Sequence, residues 1–281
     1  SCILGFIALF IFTGLIGCSH KTPVTHAQDT LFRQLTPAET NINFENTLTE
    51  GLNTNVLLYE YFYNGGGVAI GDLNGDGLQD IYFTGNMVDN KLYLKERNLH
   101  FKDVSKEAML PQDGGLSTGV SVVDINNDGL LDIYICRMGD YDSLHSKNQL
   151  LVCQGIDKNG VPYYKDEAHQ YGLDFSGFST QAVFFDYDGD GDLDMFLLNH
   201  SVFENETVGN RDMLLQRHVP ISGDRIYRND GNGHFTDVTK ETGINSSVLD
   251  FGLGITVSDI NLDGYPDIYV GNDFHENDYL Y

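Results

Sequence analysis

A nine-residue segment of the sequence reads Asp72-Leu73-Asn74-Gly75-Asp76-Gly77-Leu78-Gln79-Asp80. Three further segments repeat its pattern and begin at Asp124, Asp186 and Asp259. In all four segments, positions 1, 3, 5 and 9 are Asp or Asn and position 6 is glycine. Glycine tolerates the sharp backbone turns that other residues resist. We therefore interpret the segments as four tight loops, named loops 1 to 4 in chain order.

Short apolar runs flank every loop. The runs that precede the loops are Gly67–Ile70, Gly119–Val123, Gln181–Phe185 and Gly254–Val257. The runs that follow them are Ile81–Phe83, Ile133–Ile135, Met195–Leu197 and Ile268–Val270. Apolar, β-branched and aromatic residues in runs this short are typical of strands rather than helices. Each loop is therefore predicted to join two antiparallel strands.

Further strand-like runs complete the repeat. A third strand is predicted in each unit at Lys91–Leu94, Gln149–Val152, Arg225–Arg228 and Tyr279–Tyr281. A fourth strand is recognisable at His100–Val104 and His234–Val238. Four short strands in each repeat of more than about 40 residues are typical of a β-propeller blade. The predicted fold class is all-β, a propeller with about four four-stranded blades from a ring of roughly seven or eight. Because the last run is a third strand, we expect a propeller that is incomplete at its C-terminus.

The charge balance excludes one class of partner. Among 281 residues, 41 Asp and Glu against 16 Lys and Arg give a formal net charge of −25. Nucleic acids and anionic membrane surfaces would repel such a chain, so neither is an expected partner. Fourteen of the acidic residues lie in the four loops, and solubility alone does not explain that concentration.

The loops offer Ca²⁺ the ligands that it prefers. Calcium binds six to eight oxygen atoms, which carboxylates supply well, and a main-chain carbonyl at position 7 can add one more. Without a cation, two carboxylates about 5 Å apart would repel each other by roughly 3 kcal/mol at an effective dielectric constant near 20. The predicted calcium ligands, at positions 1, 3, 5 and 9, are Asp72, Asn74, Asp76, Asp80, Asp124, Asn126, Asp128, Asp132, Asp186, Asp188, Asp190, Asp194, Asp259, Asn261, Asp263 and Asp267.

Two other interpretations of the loops were weighed against calcium binding in a propeller. The EF-hand starts with a similar pattern but requires Glu at position 12 and a helix on each side. Position 12 of the four loops is apolar, which excludes the EF-hand: Phe83, Ile135, Leu197 and Val270. The second interpretation is four Asp-Gly turns that bind no metal, because Asp, Asn and Gly are good turn formers. The repetition of every ligand position favours calcium.

The N-terminal region predicts export. Residues 3–17 carry no charge and are rich in Ile, Leu and Phe. The run is short for a membrane-spanning helix and typical of a signal-peptide core. It ends in Leu15-Ile16-Gly17-Cys18, which resembles the bacterial lipobox, whose cysteine becomes lipidated. An uncleaved anchor with an incidental cysteine is the alternative.

The predicted organisation follows from these features. We expect a signal peptide at 1–17, a lipidated Cys18 with a polar tether at 18–40, and the propeller at 41–281, which opens with a lead-in strand. The expected location is the bacterial outer membrane, with the propeller facing the periplasm or the cell surface. Cys136 and Cys153 lie in strand-like runs of one blade. In an exported protein they could form a disulfide, and two buried free thiols are the alternative.

With strand, Asp loop and strand in register, residues 41–281 resemble the FG-GAP/VCBS repeats of integrin-α-type β-propellers. They resemble more closely the bacterial ASPIC/UnbV relatives of cartilage acidic protein. The stretches that match best are Tyr61–Asp72, Asp224–Gly231 and Asn272–Asp278. The resemblance implies that loop positions 1, 3, 5 and 9 bind calcium on the outer side of the blades.

These features predict a binding or adhesion module with calcium as a structural cofactor and an envelope protein or a glycan as partner. Propellers present ligand-binding loops at one face. The alternative is a lyase or hydrolase acting on polysaccharide, with His200, His218 and His275 as candidate residues. No nucleophile or metalloprotease motif accompanies these histidines, so no catalytic residue is assigned. A structural spacer is a third alternative, against which the long insertion 199–222 argues.

Overall fold

The computed structural model describes residues 31–281 except 53, 58, 140–145, 202–213, 215–218 and 275. The chain separates into two units, Ser1–Thr36 and Pro37–Tyr281. Only residues 31–36 of the first unit are described, and they contain no helix or strand. The signal peptide expected at 1–17, the lipidation site Cys18 and part of the tether expected at 18–40 therefore lie outside the described residues.

Fifteen strands in the described part of Pro37–Tyr281 form four antiparallel sheets, which we call blades 1 to 4. Blade 1 contains β1 Val68–Gly71, β2 Asp80–Phe83, β3 Lys91–Lys95 and β4 Phe101–Asp103. Blade 2 contains β5 Ser117–Val123, β6 Asp132–Arg137, β7 Gln149–Ile156 and β8 Pro162–Asp166. Blade 3 contains β9 Ser179–Phe185, β10 Asp194–Asn199, β11 Arg225–Asn229 and β12 Phe235–Asp237. Blade 4 contains β13 Gly252–Ser258, β14 Asp267–Asn272 and β15 Tyr279–Leu280.

Helices contribute little to the described residues. They are α1 Pro37–Thr40, α2 Ala168–Tyr171, α3 Thr239–Thr242 and one 3₁₀ turn, Arg97–Leu99. Across the described ranges, no helix has the length and apolar character needed to cross a membrane. Within each blade the strands pair in sequence order, and the first strands of successive blades pack side by side. The architecture is a β-propeller, which confirms the predicted fold class and its four-stranded blades, of which blade 4 shows three strands among the described residues.

Alternation along the strands produces three separate cores between neighbouring blades. Side chains of a strand point alternately to its two faces, so Ile133 packs towards blade 1 while Tyr134 packs towards blade 3. The cores contain Tyr82, Leu92, Ile133 and Leu151 between blades 1 and 2, Tyr134, Leu150, Met195 and Leu197 between blades 2 and 3, and Phe196, Leu198, Ile268 and Val270 between blades 3 and 4. Burying each such side chain stabilises the fold by about 1.5–3 kcal/mol. Stacking of blades, rather than any single blade, therefore supplies the hydrophobic stabilisation.

Hydroxyl groups join the innermost strands of neighbouring blades. Thr118 Oγ1 donates to the carbonyl oxygen of Ser179 at 2.6 Å, and Thr180 Oγ1 donates to the carbonyl oxygen of Gly252 at 3.0 Å. The backbones approach so closely that a Cβ on Gly119 would lie 2.3 Å from the carbonyl oxygen of Thr180. A side chain at this position would therefore separate blades 2 and 3.

Two sequence-based expectations about strands are corrected by the structure. The described residues of 41–66 contain no strand, so the predicted lead-in strand is wrong. This segment docks through side chains instead: Phe44 stacks on Phe83 with ring centroids 5.1 Å apart, and Tyr61 Oη donates to Asp273 Oδ2 at 3.2 Å. Blade 2 has a fourth strand, β8, that was not recognised because Glu167 stands where the other blades have valine.

The predicted disulfide between Cys136 and Cys153 is wrong, and the free-thiol alternative holds. Both cysteines are free and buried. They lie on adjacent strands of blade 2 but face opposite sides of the sheet: Cys136 packs in the core shared with blade 3, and Cys153 in the core shared with blade 1. Burial raises the pKa of both thiols, so neither is a reactive thiolate at neutral pH.

A hydrogen bond is repeated where the second strand of each blade turns towards the third. A residue at the end of the second strand, or two positions beyond it in blade 1, donates its N–H to the side chain just before the third strand. The donor and acceptor pairs are Gly85 with Asn90, Arg137 with Asn148, Asn199 with Asp224, and Asn272 with Asp278, at 2.7–2.9 Å. Blades 1 and 2 use a neutral amide, whereas blades 3 and 4 use a carboxylate.

The carboxylate of Asp224 is fully buried beside a second buried acid, Asp250. Its Oδ2 has no hydrogen-bond partner, and its backbone N–H donates to Asp250. Burial, followed by repulsion from Asp250, raises the pKa of Asp224 well above its usual range, and burial raises the pKa of Asp250 to about 7. The ionised forms are therefore disfavoured in the folded state. Folding stability is lost as the pH rises from about 4, the unfolded pKa, through about 7.

Replacing Asp224 with Asn should stabilise the protein at pH 8, because the amide keeps the turn bond and offers Asp250 a donor. We expect equal melting temperatures near pH 4 and an increase of a few degrees at pH 8, on the order of 1–2 kcal/mol. Thermal melts from pH 4 to pH 8 measure the difference. Asp278→Asn is the matched control, since it changes the same repeat position at an exposed site. Equal shifts in the two variants would assign the effect to the turn and not to the buried pair.

Candidate metal centres

Each loop joins the first and second strands of its blade, as predicted. The structure adds that all four loops lie at the same end of the blades. The residue directly before each loop pairs with the residue at position 9 of that loop in the antiparallel ladder. The pairs are Gly71 with Asp80, Val123 with Asp132, Phe185 with Asp194, and Ser258 with Asp267. We call this end of the propeller the loop end. The end at which second strands lead into third strands is the opposite end.

The carboxylate at position 1 shapes each loop. Its Oδ1 accepts the N–H of position 5 and its Oδ2 accepts the N–H of position 6. In loop 1 these distances are 3.0 and 2.8 Å, from Asp76 and Gly77 to Asp72. The same pair of bonds occurs at Asp124, Asp186 and Asp259. Position 6 is glycine because its φ is positive, from +84° to +97° in the four loops, a region that disfavours residues with a Cβ.

The carboxylate at position 9 has a different role, which sequence reasoning missed. In loop 2, Asp132 is fully buried and accepts the N–H of Ile125 at 3.0 Å and the N–H of Cys153 at 2.8 Å. The equivalent acceptors are Asp80, for Leu73 and Lys95, and Asp194, for Tyr187 and Asn229. In loops 1 to 3, position 9 therefore joins the loop to the third strand of its own blade, whereas Asp267 of loop 4 accepts the N–H of Ile260 within the loop.

The pKa values of these buried carboxylates are perturbed. Burial raises the pKa of Asp80, Asp132 and Asp194 to about 6 each, against the opposing effect of the backbone donors. The acids at positions 1 and 5 of loops 1 and 2, and at positions 3 and 5 of loop 3, add repulsion. A bound cation would relieve both effects, because it lies against the charge that burial disfavours.

Loop 3 differs from the other loops at position 3. In loops 1, 2 and 4 this residue is Asn, whose Nδ2 donates to the carboxylate at position 5, for example from Asn126 to Asp128 at 3.0 Å. Loop 3 has Asp188, which has no such donor. Carboxylate oxygens of Asp186, Asp188 and Asp194 lie within 4.8 Å of one another. Three converging carboxylates fit a hard cation such as Ca²⁺, which takes oxygen ligands from carboxylates, amides and carbonyls.

The structure thus places every predicted ligand in a loop, but it brings them together unequally. The convergence of three carboxylates is found in loop 3 among the described residues. At position 5, Asp190 is exposed and accepts the N–H of Asp192 at 2.9 Å. The remaining loops combine carboxylates with an amide, which carries less charge. Calcium binding itself stays a prediction for all four.

A model of the FG-GAP-like repeat family matches residues 55–135 and 209–270, together just over half of the chain. The chain belongs to the FG-GAP-like repeat family. The matched segments include loops 1, 2 and 4, whereas loop 3 lies between them. Loop 3 is nevertheless an FG-GAP-like loop by its ligand positions and its place in blade 3. The predicted FG-GAP repeats are confirmed.

The chain is also similar to cartilage acidic protein 1 of Xenopus tropicalis. The two are 24% identical over 219 residues, which is 73% of this chain and 30% of the relative. The chain therefore spans less than a third of the relative's length. This similarity agrees with the resemblance to cartilage acidic protein that the repeat pattern indicated.

His200, a candidate residue of the enzyme alternative, is buried and fully hydrogen-bonded. Its Nε2 lies 2.9 Å from Tyr59 Oη and its Nδ1 lies 3.0 Å from the carbonyl oxygen of Ser201. Nδ1 must donate to the carbonyl, so Nε2 accepts from the tyrosine. Burial lowers the pKa of His200 to about 4, which keeps the ring neutral at physiological pH. His218 and His275 lie outside the described residues.

Because position 9 has a structural role, we expect substitutions of Asp132 and Asp128, at positions 9 and 5 of loop 2, to differ in their effect on stability. Asp132→Ala leaves two buried N–H groups without an acceptor, so it should destabilise the protein by about 2–4 kcal/mol even without calcium. Asp128→Ala removes an exposed carboxylate whose bonds water can replace, and should change the stability by less than about 1 kcal/mol. Urea unfolding in EGTA measures both. An equal loss in the two variants would contradict the structural role of position 9.

Proposed function

We propose that this chain is an exported, lipid-anchored and calcium-stabilised β-propeller that acts as a binding or adhesion module for an envelope protein or a glycan. The observation that carries the calcium part is the convergence of Asp186, Asp188 and Asp194 in loop 3. Their oxygens are close enough to share one cation. Three ionised carboxylates at such distances repel one another strongly unless a cation neutralises them.

The residues proposed to hold calcium are those at positions 1, 3, 5 and 9 of each loop. The carboxylate at position 1 already orients the loop through two backbone N–H groups, and each of its oxygens retains a lone pair for a cation. A cation there would be linked to the fold, because ligands that bind the native state stabilise it. Calcium acts in this proposal as a structural ion, and it joins the first, second and third strands of a blade through position 9.

Calcium should raise the melting temperature of the protein, and loop 3 should contribute most. At a hundredfold excess over the dissociation constant, one site stabilises by about 2.7 kcal/mol. Asp188→Ala should lose more of the calcium-dependent increase than its matched variant Asn126→Ala, because a charged ligand contributes more to calcium affinity than an amide. In EGTA, Asp188→Ala should be at least as stable as the wild type, since the substitution removes repulsion.

The measurement is a thermal melt in millimolar CaCl₂ and in EGTA, with elemental analysis of the purified protein. Identical melting curves and no bound calcium would refute the proposal. A larger loss in Asn126→Ala than in Asp188→Ala would refute the ranking of the loops and leave calcium binding intact.

The membrane anchor is supported by Leu15-Ile16-Gly17-Cys18 at the end of an apolar run. Cys18→Ser should abolish incorporation of labelled palmitate in a bacterial host and move the protein from the membrane fraction to the soluble fraction. Cys136→Ser is the matched control, because its thiol is buried in the propeller and unavailable for lipidation. Unchanged labelling of the Cys18 variant would rule out this cysteine as the anchor.

The binding role is supported by the way the fold separates its two ends. Calcium ligands occupy the loop end, whereas the connections between blades and the turns into the third strands form the opposite end. Loops held by a rigid sheet scaffold are the usual place for ligand recognition. The opposite end is therefore the proposed binding face, and calcium at the other end would stabilise the scaffold that presents it.

A further inference from the structure

In blade 1, and again in blade 3, an ion pair joins the two outer strands of the blade at the opposite end of the propeller. The first residue of the third strand is basic, and it binds an Asp at the end of the fourth strand. Lys91 Nζ lies 3.0 Å from Asp103 Oδ2, and an Arg225 guanidinium nitrogen lies 2.8 Å from Asp237 Oδ2. The same Asp accepts the N–H of a residue two positions later, Ser105 or Thr239. The pair is thus part of the repeat.

Blade 2 departs from this repeat. The basic position is taken by neutral Gln149, which hydrogen-bonds to Asp166 at the end of the fourth strand. A cation occurs instead at Arg137, the last residue of β6, where the other blades have Gly or Asn. Its guanidinium binds Asp113 through two nitrogens, at 2.7 and 3.1 Å. Departures from a repeat that the fold does not require are expected at functional sites.

An open cleft of about 530 Å³ lies beside this departure on blade 2. Its described lining includes Asp113, Arg137, Lys147, Gln149, Asp166 and Asp174. The volume is in the range of small-molecule sites, roughly 300–1,000 Å³. A Lys at position 149, as in blade 1, would extend an ammonium group towards Asp166 and occupy part of this space.

The floor of the cleft contains unsatisfied polar atoms. Arg137 Nε and Gln149 Oε1 are buried and have no hydrogen-bond partner, although both side chains are more than nine-tenths buried. A buried donor or acceptor without a partner costs about 1–3 kcal/mol. Arg137 Nε is a donor and Gln149 Oε1 is an acceptor. A hydroxyl group suits both atoms, because it donates and accepts.

The cations of the cleft are already paired within the described lining. Arg137 is paired with Asp113, and Lys147 Nζ lies 2.5 Å from Asp174. His169 also contacts Asp174, at 3.1 Å. The remaining carboxylate of this lining, Asp166, accepts bonds from neutral donors, which are Gln149 and the backbone N–H groups of Leu150 and Ala168. No cation of this lining is left for an anionic ligand, and no Phe, Tyr, Trp or large aliphatic side chain lines the described cleft for an apolar one. A neutral, hydroxyl-rich ligand remains.

We propose that the cleft of blade 2 binds a neutral saccharide unit, whose hydroxyl groups bond to the polar floor formed by Arg137 and Gln149. This inference rests on the proposed function, since it names the site and the ligand class of the binding module. The corresponding region of blade 3 also forms a cleft, of about 520 Å³, but there Arg225 keeps the ion pair with Asp237. The site is therefore specific to blade 2.

The test uses the full-length chain, fluorescently labelled, on a printed array of neutral oligosaccharides (mannan, xylan and β-glucan fragments) and acidic ones (polygalacturonate fragments) in millimolar CaCl₂. The wild type should bind neutral saccharides. Gln149→Lys should restore the ion pair of blade 1, keep the melting temperature and weaken binding at least about tenfold. Lys91→Gln, the reciprocal change in blade 1, should leave binding unchanged.

A second variant keeps the test decisive if the lysine disturbs folding. Gln149→Met retains the volume and removes the amide, so it should also bind at least about tenfold more weakly. Wild-type binding that survives both substitutions would overturn the site and leave the binding module intact. Preference for the acidic saccharides, or binding to none of them, would overturn the ligand class. The proposed function fails as well only if the same labelled chain also shows no calcium-dependent binding to purified bacterial envelopes.

Discussion

A buried carboxylate at position 9 of loops 1, 2 and 3 joins the first, second and third strands of its blade. In blade 2, Asp132 lies at the start of β6 and accepts one N–H from the loop that follows β5 and another from β7. A neutral acceptor with a single oxygen could satisfy only one of these donors in the same way. The geometry therefore requires a carboxylate, and burying it raises its pKa to about 6. The cation proposed at the loop end would offset both the repulsion among the clustered acids and the burial of the carboxylate at position 9.

The parts of the fold that depend on contacts between nearby residues were predictable from the sequence. The parts that depend on contacts between distant residues were not. Strand, loop and strand were predictable because ligand positions, glycine at position 6 and period-two alternation are all encoded within about 20 residues. The lead-in segment was misinterpreted because its aromatic residues, such as Phe44 and Tyr61, suggest a strand but are used to pack across the ends of the blades. That docking depends on contacts with residues far along the chain, which a local pattern does not contain.

The candidate site was predictable in its residues and only partly in their roles. Asp and Asn at positions 1, 3, 5 and 9 were recognised as a set of oxygen ligands, but the pattern does not distinguish the exposed Asp190 from the buried Asp194. The distinction arises from the hydrogen bond between Asp194 and Asn229, which lies on a strand 35 residues away. The cysteines illustrate the same limit: Cys136 and Cys153 lie on adjacent strands, yet side-chain parity directs them to different cores.

Comparison of the blades with one another separates what the fold needs from what it does not. The turn bond at Asn90, Asn148, Asp224 and Asp278 is structural because every blade has it. The first residue of the third strand varies, since it is basic in blades 1 and 3 but Gln149 in blade 2 and Tyr279 in blade 4. Strand β7 connects this position to the candidate metal centre of loop 2, since Gln149 is its first residue and Cys153, four residues later, donates its N–H to Asp132. A cation bound by loop 2, as proposed, would restrain β7 through Asp132 and Cys153, and with it the position of Gln149 at the start of the same strand.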